Sequence, residues 1–497
     1  MALEILTNVF NIRVMFHIVL GVASGMCIGC LPGLTATMGV ALLLPLTFGM
    51  DATPGLLLLL GVYVGAIYGG SISAILIRTP GTPAAAATVL DGYEFAKRGE
   101  AGRALGISTL SSFIGGVISC AILALLSPQL AKLALRFSSP EFFMLAVFGL
   151  CVIASVSGDN LAKGVLCGAL GILLACVGID GITGYMRFTY DNINLLSGIN
   201  YIPVMIGLFA MSQAFDGVEN IYQKGGESKK IDSALPRRED LRTIFKVAPW
   251  CGLLGTVIGI IPGAGADIGA FVAYGQAKNL SKHPEKFGAG VVEGVAAPES
   301  ANNGVTGGAL IPMLTLGVPG DAVAAIMIGA LTIQGLQPGP LLFKNNAELV
   351  YSVFAGMFVA NCVMCLMGLS CIRIFTKVLS IPRAVLTPGI FLLCVVGSYA
   401  MANNLFDVGV MLLFGVIGYF MNKAAIPSSP AVLGLILGPM AESHFRRALL
   451  MARGNYATFL STGITWVFFA LILVSLAVPL WQRRKSRRGG GHNAIRK

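Results

Sequence analysis

The chain has 497 residues, 56% of them apolar and 11% charged, with a mean hydropathy of +0.81 and a net charge of +11. Soluble domains carry about 25% charged residues, so an ordinary cytosolic enzyme, a disordered chain and a secreted disulfide scaffold are excluded. At about 20 residues per spanning helix, the length accommodates roughly ten to twelve membrane segments, and the expected fold class is an all-α polytopic membrane protein.

The charge distribution argues against nucleic acid. Seven of the 34 Lys and Arg fall between Lys224 and Lys246, and seven more follow Trp481. Basic loops between apolar runs are the positive-inside pattern of a membrane protein. The eleven cysteines lie mostly within apolar runs, where they pack as small hydrophobes. Cys27-x-x-Cys30 and Cys362-x-x-Cys365 have metal-like spacing without nearby His.

In chain order, the first apolar run follows Arg13 and passes Gly29 with no cleavage site, so no signal peptide is expected. Gly21, Gly25, Gly29 and Gly33 recur every four residues and end in Leu31-Pro32-Gly33-Leu34-Thr35-Ala36-Thr37. A second landmark is Gly69-Gly70-Ser71, and a third is Thr79-Pro80-Gly81, followed by an Ala-rich run. Apolar runs near 104–126, 142–157, 161–179 and 193–213 read as four spans. Beyond the basic stretch, Gly255, Gly259 and Gly263 repeat the first landmark and end in Ile261-Pro262-Gly263-Ala264-Gly265-Ala266-Asp267. Gly307-Gly308-Ala309 and Val318-Pro319-Gly320 then repeat the other two. Runs near 349–372, 384–402, 405–422, 428–441 and 457–481 complete the chain. Arg446, Arg447 and Arg453 form a basic loop that simple alternation from an inside tail places outside, a conflict that a re-entrant segment or a different span count would resolve.

The expected organisation is a first half at 1–218, a basic cytoplasmic loop at 219–246, a second half at 247–482 and a basic cytoplasmic tail at 483–497. Matching loops of the halves carry opposite charge bias. Phe48-Gly49-Met50-Asp51 has no basic neighbour, whereas its counterpart carries Lys278, Lys282 and Lys286; after the second Pro-Gly the bias reverses. Two inverted-topology repeats are expected, an architecture of secondary transporters.

Pro-Gly inside an apolar segment breaks a helix. In lipid the freed backbone groups cost several kcal/mol each unless protein, water or a ligand satisfies them. Four paired breaks, broken or re-entrant, therefore point to a binding site. Half-helix N-termini offer N–H groups and a positive dipole to an anion, and exposed carbonyls suit Na⁺. The expected substrate-binding residues are Gly33, Thr35, Thr37, Ser71, Thr79, Pro80, Gly81, Thr82, Asn302, Asn303, Pro319 and Gly320. Ion coupling is expected at Gly263, Asp267, Thr306 and Thr315, with Na⁺ at Thr35, Asp267 and Asn302. Alternatives stand beside these roles. A Thr or Ser hydroxyl can bond back within its own helix, and Gly21, Gly25, Gly61 and Gly65 serve close helix packing. Arg78 either neutralises an anionic substrate, snorkels, or pairs with Asp321. Glu293 and Glu299 take part in coupling or in ordinary solvation. No phosphate loop or His-Glu-x-x-His motif is present, so neither direct ATP drive nor enzymatic activity is expected.

At Leu31-Pro-Gly-Leu-Thr-Ala-Thr37, Tyr68-Gly-Gly-Ser71, Thr79-Pro-Gly-Thr-Pro-Ala-Ala-Ala-Ala-Thr88, Asp91-Gly-Tyr93, Ala297-Pro-Glu-Ser-Ala-Asn-Asn303, Leu316-Gly-Val-Pro-Gly320 and Gly335-Leu-Gln-Pro-Gly-Pro-Leu-Leu342, the chain resembles the large membrane subunit of tripartite tricarboxylate transporters, the TctA family. Arg78 departs from the Asn expected there. The resemblance implies uptake of small di- or tricarboxylates across a bacterial inner membrane, with Na⁺ as coupling ion and no other cofactor. It implies a small four-helix membrane subunit and a periplasmic substrate-binding protein as partners, and kinship with elevator-type transporters. The alternatives are a gated channel or passive pore for a polar solute, and a membrane scaffold or intramembrane enzyme.

Overall fold

The computed structural model describes residues 7–151, 161–219, 235–379 and 381–489. Most of the central basic loop (220–234) and the end of the tail (490–497) lie outside the described residues. The helices, in order, are α1 (Ile12–Cys30), α2 (Ala36–Leu43, continued by a 3-10 turn at Leu44–Thr47), α3 (Ala52–Ile77), α4 (Val89–Lys97), α5 (Ala101–Ala134), α6 (Ser139–Cys151), α7 (Leu161–Ala175) and α8 (Tyr201–Glu219). They continue with α9 (Arg238–Ile260), α10 (Gly265–Leu280), α11 (Val292–Leu316), α12 (Ala322–Ile333), α13 (Pro340–Asn345), α14 (Ala347–Ser370), α15 (Ile372–Val378), α16 (Arg383–Ala402), α17 (Leu405–Lys423), α18 (Ser429–Met451) and α19 (Gly463–Gly489). One hairpin of two-residue strands, β1 (Gly178–Ile179) and β2 (Met186–Arg187), pairs Gly178 with Arg187.

The protein is an all-α polytopic membrane protein. Among the described residues seven helices are long and apolar enough to cross a membrane: α1, α3, α5, α8, α9, α14 and α17. Six further apolar helices are shorter. Within the described residues the runs expected as spans contain helices, with 152–157 of the run 142–157 lying outside, and the apolar helices α2 and α12 are kept below spanning length by the breaks that precede them.

The chain divides into two compact units. Unit 1 is Met1–Leu135 with Ile202–Phe420, and unit 2 is Arg136–Tyr201 with Met421–Lys497. Each unit draws on both halves of the sequence.

Unit 1 is built around α3 and α11. Every residue in the spanning window of α3 is buried, and α11 is buried from Gly294 to Thr315. A helix that is apolar all round belongs inside its fold. α1 packs on α3, and α9 on α11, with backbones nearly touching. A Cβ on Gly25 would lie 2.4 Å from the Val62 carbonyl oxygen, and one on Gly65 would lie 2.3 Å from that of Val22. In the second pair, a Cβ on Gly255 would lie 2.1 Å from the Ala301 oxygen, and one on Gly304 would lie 2.5 Å from that of Gly252. Small residues permit this approach, which supplies dispersion contacts that lipid-solvated helices otherwise lack.

The two pairs share one register. Gly29 meets Ala66 as Gly259 meets Val305, and Gly69 meets Met26 as Gly308 meets Thr256. Equivalent positions lie 230 residues apart in α1 and α9 but 239 apart in α3 and α11. The contacts thus match Gly69 to Gly308, one residue away from the alignment of the Gly-Gly pairs by sequence. The same 239 spacing links the residues that end α3 and α11. Arg78 (φ +60°) and Gly317 (φ +72°) are both left-handed C-terminal caps. Glycine suits that conformation, whereas Arg78 is one of few non-glycine residues to adopt it here.

Unit 2 packs α7 and α6 against α18, and α19 against α6. Gly171 and Gly434 set the α7–α18 contact, each abutting the backbone of the other helix. Met144, Ala448, Phe459 and Ile472 form its apolar centre, lined by Phe143, Phe148, Phe445 and Phe468.

Candidate functional site

The four breaks come together in unit 1 by exchange between the halves. α2, which follows the first break of half one, packs against α12, which follows the second break of half two. α10, which follows the first break of half two, packs against the 3-10 turn Pro83–Ala85 in the second break of half one. The breaks of half two are also joined directly, as the Gly263 N–H donates to the Gly320 carbonyl at 2.5 Å. In half one the strap after α3 lies on the helix pair. The Gly81 N–H donates to the Gly70 carbonyl at 3.1 Å, and a Cβ on Gly81 would stand 1.9 Å from the Gly29 oxygen.

Each short helix is capped by a residue of its own break. Thr35 Oγ1 accepts from the Met38 N–H at 3.1 Å at the start of α2. Asp321 Oδ1 accepts from the Ala324 N–H at 2.7 Å at the start of α12. These caps satisfy donors that a helix N-terminus otherwise leaves free. Asp321 is buried, and its second oxygen takes the Tyr63 hydroxyl from α3. Arg78 does not pair with Asp321; its guanidinium stands 5.8 Å from the centroid of the Tyr93 ring and is exposed.

At the centre lies Glu299, two turns into α11 and completely buried. Its Oε2 accepts from Ser71 Oγ at 2.5 Å, Ser108 Oγ at 3.0 Å and Ser112 Oγ at 3.1 Å, and its Oε1 accepts from Thr88. Among the described residues no Lys or Arg forms an ion pair with it. One turn on, Asn302 Nδ2 donates to the Ala84 carbonyl at 3.1 Å, which ties α11 to the strap. Asn303 Nδ2 donates to the Glu299 carbonyl at 3.2 Å and to Asn302 Oδ1 at 2.8 Å, and its own Oδ1 is buried without a partner. Thr82 Oγ1, also in the strap, is likewise buried and unpartnered.

A further buried carboxylate fastens the start of α11. Asp91, in α4, accepts N–H bonds from Gly288, Gly290 and Val291, and the Tyr274 hydroxyl at 2.8 Å. The carboxylate lies against Gly294, where a Cβ would stand 2.1 Å from Oδ2. Asp91 thus caps α11 from another element, which gives Asp91-Gly-Tyr93 a physical role.

The residues singled out by sequence separate into groups. Ser71, Thr82, Asn302 and Asn303 gather around the strap and Glu299. Gly263, Pro319 and Gly320 meet at the joined breaks. Gly33 (φ +93°) and Thr79 are exposed, and Thr79 Oγ1 bonds to Ile77 O at 3.4 Å. Pro80, Thr35 and Thr37 are half-buried. Thr306 and Thr315 turn back on their own helix, bonding Asn303 O at 2.6 Å and Ile311 O at 2.7 Å. Thr35, Asp267 and Asn302 are not hydrogen-bonded to one another, and Asp267 lies on the exposed side of α10. Sequence reasoning missed Tyr63, Ser108 and Ser112, and gave no role to Thr88 and Asp91, although both stand in stretches that carry the family resemblance. For Glu299 the signal was an acidic residue within an apolar run.

Unit 2 carries a separate charged cluster. Arg446 bonds Asp180 at 2.6 Å and Glu442 at 3.4 Å, and Arg187 bonds Glu442 through two nitrogens at 2.6 and 3.2 Å. These residues, with Arg447, line a cleft of about 500 Å³. Arg446, one of the basic residues whose charge conflicts with simple alternation of sides, therefore belongs to an ion-pair network. The Arg446 guanidinium and the Ile182 N–H hold the Asp180 carboxyl below the ordinary aspartate range.

Residues 15–433 match the tripartite tricarboxylate transporter TctA family. The chain is 37% identical over 468 residues, 94% of its length and 93% of the relative's, to an uncharacterised 52.8 kDa protein in the TAR-I ttuC' 3' region of Agrobacterium vitis. It is also 37% identical over 234 residues to an uncharacterised protein in the TAR-II ttuC' 3' region of the same organism, covering 47% of this chain and 97% of that one. No solved structure matches. The chain belongs to the tripartite tricarboxylate transporter TctA family, a family of membrane transporters.

Proposed function

We propose that this chain is the large membrane subunit of a binding-protein-dependent tripartite transporter, and that it takes up small di- or tricarboxylates by symport with Na⁺. Family membership supports the substrate class. The observation that carries the mechanism is the crossing of the four breaks in unit 1, which places capped half-helices and buried amides and hydroxyls in one region of the fold. The start of α2, capped by the neutral Thr35 hydroxyl, offers its remaining N–H groups and its dipole to an anion. Thr35, Thr37, Thr79 and Thr82 with Gly33, Pro80, Gly81, Pro319 and Gly320 are the substrate-binding group in this reading, joined by Ser71, Asn302 and Asn303. Gly263, Asp267, Thr306 and Thr315 belong to ion coupling.

The shared glycine register of the α1–α3 and α9–α11 pairs supports two structural repeats, and the opposed loop charges support their inversion. An elevator-type movement is part of this reading, by the family resemblance. In this reading the chain sits in a bacterial inner membrane with its C-terminus cytoplasmic. It assembles with a small four-helix membrane subunit and receives substrate from a periplasmic binding protein.

The test is co-reconstitution with both partners in liposomes, followed by uptake of a labelled carboxylate panel. Accumulation of one carboxylate that needs both the binding protein and an inward Na⁺ gradient is the expected result. Accumulation driven by a proton gradient alone would replace the coupling ion. Equilibration indifferent to any gradient would replace the transporter by a channel.

A further inference from the structure

We infer that Glu299 and the hydroxyls of Ser71, Thr88, Ser108 and Ser112 form a binding site for a dehydrated monovalent metal cation of the Na⁺ class. The inference deepens the Na⁺-coupled reading above, rests on it for the identity of the cation, and moves Ser71 from the substrate group to the cation site.

The site is assembled from four separate segments: α3 (Ser71), the strap before α4 (Thr88), α5 (Ser108 and Ser112) and α11 (Glu299). Four hydroxyls meet one completely buried carboxylate at its centre. An ionisable group within a membrane span is costly and is retained for a function or for a partner. Here no cationic side chain answers it among the described residues, so the negative charge faces only neutral groups. A buried carboxylate without a counter-charge binds a cation or gives up its own charge.

The donor set selects the cation. All the converging atoms are oxygens, which suits a hard ion and excludes metals that prefer nitrogen or sulfur. A single carboxylate supplies one negative charge, whereas divalent ions recruit several carboxylates or substrate phosphates. Hydroxyls are both donors and acceptors and rotate about Cβ–Oγ. The same four groups that donate to Glu299 can turn their lone pairs toward an ion, with no movement of the backbone.

The position links this ion to the substrate region. Thr88 closes the strap that begins with Thr79-Pro80-Gly81-Thr82, and Asn302 holds the middle of that strap through the Ala84 carbonyl. Drawing Thr88 onto a cation would order the segment that carries Gly81 and Thr82. Cation occupancy and the shape of the anion site are then two readings of one strap position, which is a physical basis for coupling.

Thermal unfolding of the purified protein in detergent tests the site. The midpoint is followed against NaCl, with choline chloride holding ionic strength constant at fixed pH. The wild type is expected to show a saturable upward shift with Na⁺. Glu299→Gln is expected to lose it. Ser108→Ala and Ser112→Ala, which remove one oxygen each, are expected to keep the shift with the half-saturating concentration raised about tenfold. They carry the test if the Glu299 variant does not fold. An unchanged half-saturating concentration in the variants overturns the assignment, as does a wild-type midpoint that follows pH but not Na⁺. Uptake measured in parallel separates the two readings. Glu299-dependent Na⁺ binding with uptake indifferent to Na⁺ would keep the site and remove the coupling. Na⁺-driven uptake with Na⁺ binding unaltered in the variants would do the reverse.

Discussion

The two units hold their carboxylates by different partners and in different places. In unit 1, Glu299, Asp91 and Asp321 are held by hydroxyls, backbone N–H groups and a phenol, with no ion pair to any of them among the described residues. In unit 2, Asp180 and Glu442 at the cleft face arginines, while the buried Glu141 at the start of α6 is held by the Ser138 and Thr462 hydroxyls. An ion pair satisfies a carboxylate locally and leaves little for a ligand. Neutral donors satisfy its hydrogen bonds but leave its charge uncompensated. Unit 1 does form ion pairs, but at helix ends and in connections, among them those of Arg103 with Asp240 and Glu100. Asp91, Asp321 and Glu141 meet backbone N–H groups at helix starts, whereas Glu299 lies within α11 among hydroxyls, which marks it as the place where charge is available for work.

Substitutions sharpen or break this contrast, beginning with the largest. Asp91→Ala removes the acceptor for three backbone N–H groups at the start of α11. It should destabilise the protein by about 3 kcal/mol or more, because buried donors are left unpaired. Asp91→Asn should restore much of the loss in a thermal melt, since an amide oxygen still accepts. Equal damage from both would mean that the charge, not the hydrogen bonding, is what α11 needs.

Gly304→Val inserts a side chain where the Gly252 backbone is 2.5 Å away. It should cost about 2 kcal/mol through overpacking, and Gly65→Val should match it if the two helix pairs are equivalent. A large effect at one site and none at the other, read from detergent stability, would break the shared register.

In unit 2, Arg446→Ala should weaken the packing of the 178–187 hairpin, and the Asp180→Asn, Arg446→Gln pair should be milder than the Arg446 change alone. The pH dependence has a definite sign. Asp180 has a folded pKa below its unfolded one, so its stabilisation is present above about pH 4 and is lost as pH falls through the folded value. Unfolding midpoints should not register this pair between about pH 5 and 8; a loss centred near neutrality would contradict the pairing.

The smallest effect is expected at Thr315. Its hydroxyl already bonds Ile311 O, so Thr315→Val should change stability by no more than about 0.5 kcal/mol. If it abolishes uptake, Thr315 does belong to ion coupling and its hydroxyl must leave the helix during transport.

Much of the architecture was legible because it is local. Pro32-Gly33 and Pro262-Gly263 break helices wherever they stand, and the run near 349–372 emerges as α14 at 347–370. The glycine spacing announced close helix contacts and its partners confirm the packing role of Gly21, Gly25, Gly61 and Gly65. The division into units was not legible, because it depends on contacts between segments hundreds of residues apart. The Glu299 site was hidden for the same reason. Ser71, Thr88, Ser108 and Ser112 share no motif, and only folding points their hydroxyls at one carboxylate. Thr306 and Thr315 show the converse: a hydroxyl near a break looks available until its own helix takes it.

The decisive measurement is the initial rate of carboxylate uptake against Na⁺ concentration, in liposomes holding the wild type or Ser108→Ala with both presumed partners. If Glu299 and its hydroxyls bind the coupling ion, the Na⁺ curve of the variant moves to higher concentration while the carboxylate KM at saturating Na⁺ stays unchanged. A variant whose maximal rate falls with its Na⁺ curve in place would show that the hydroxyl only supports the fold.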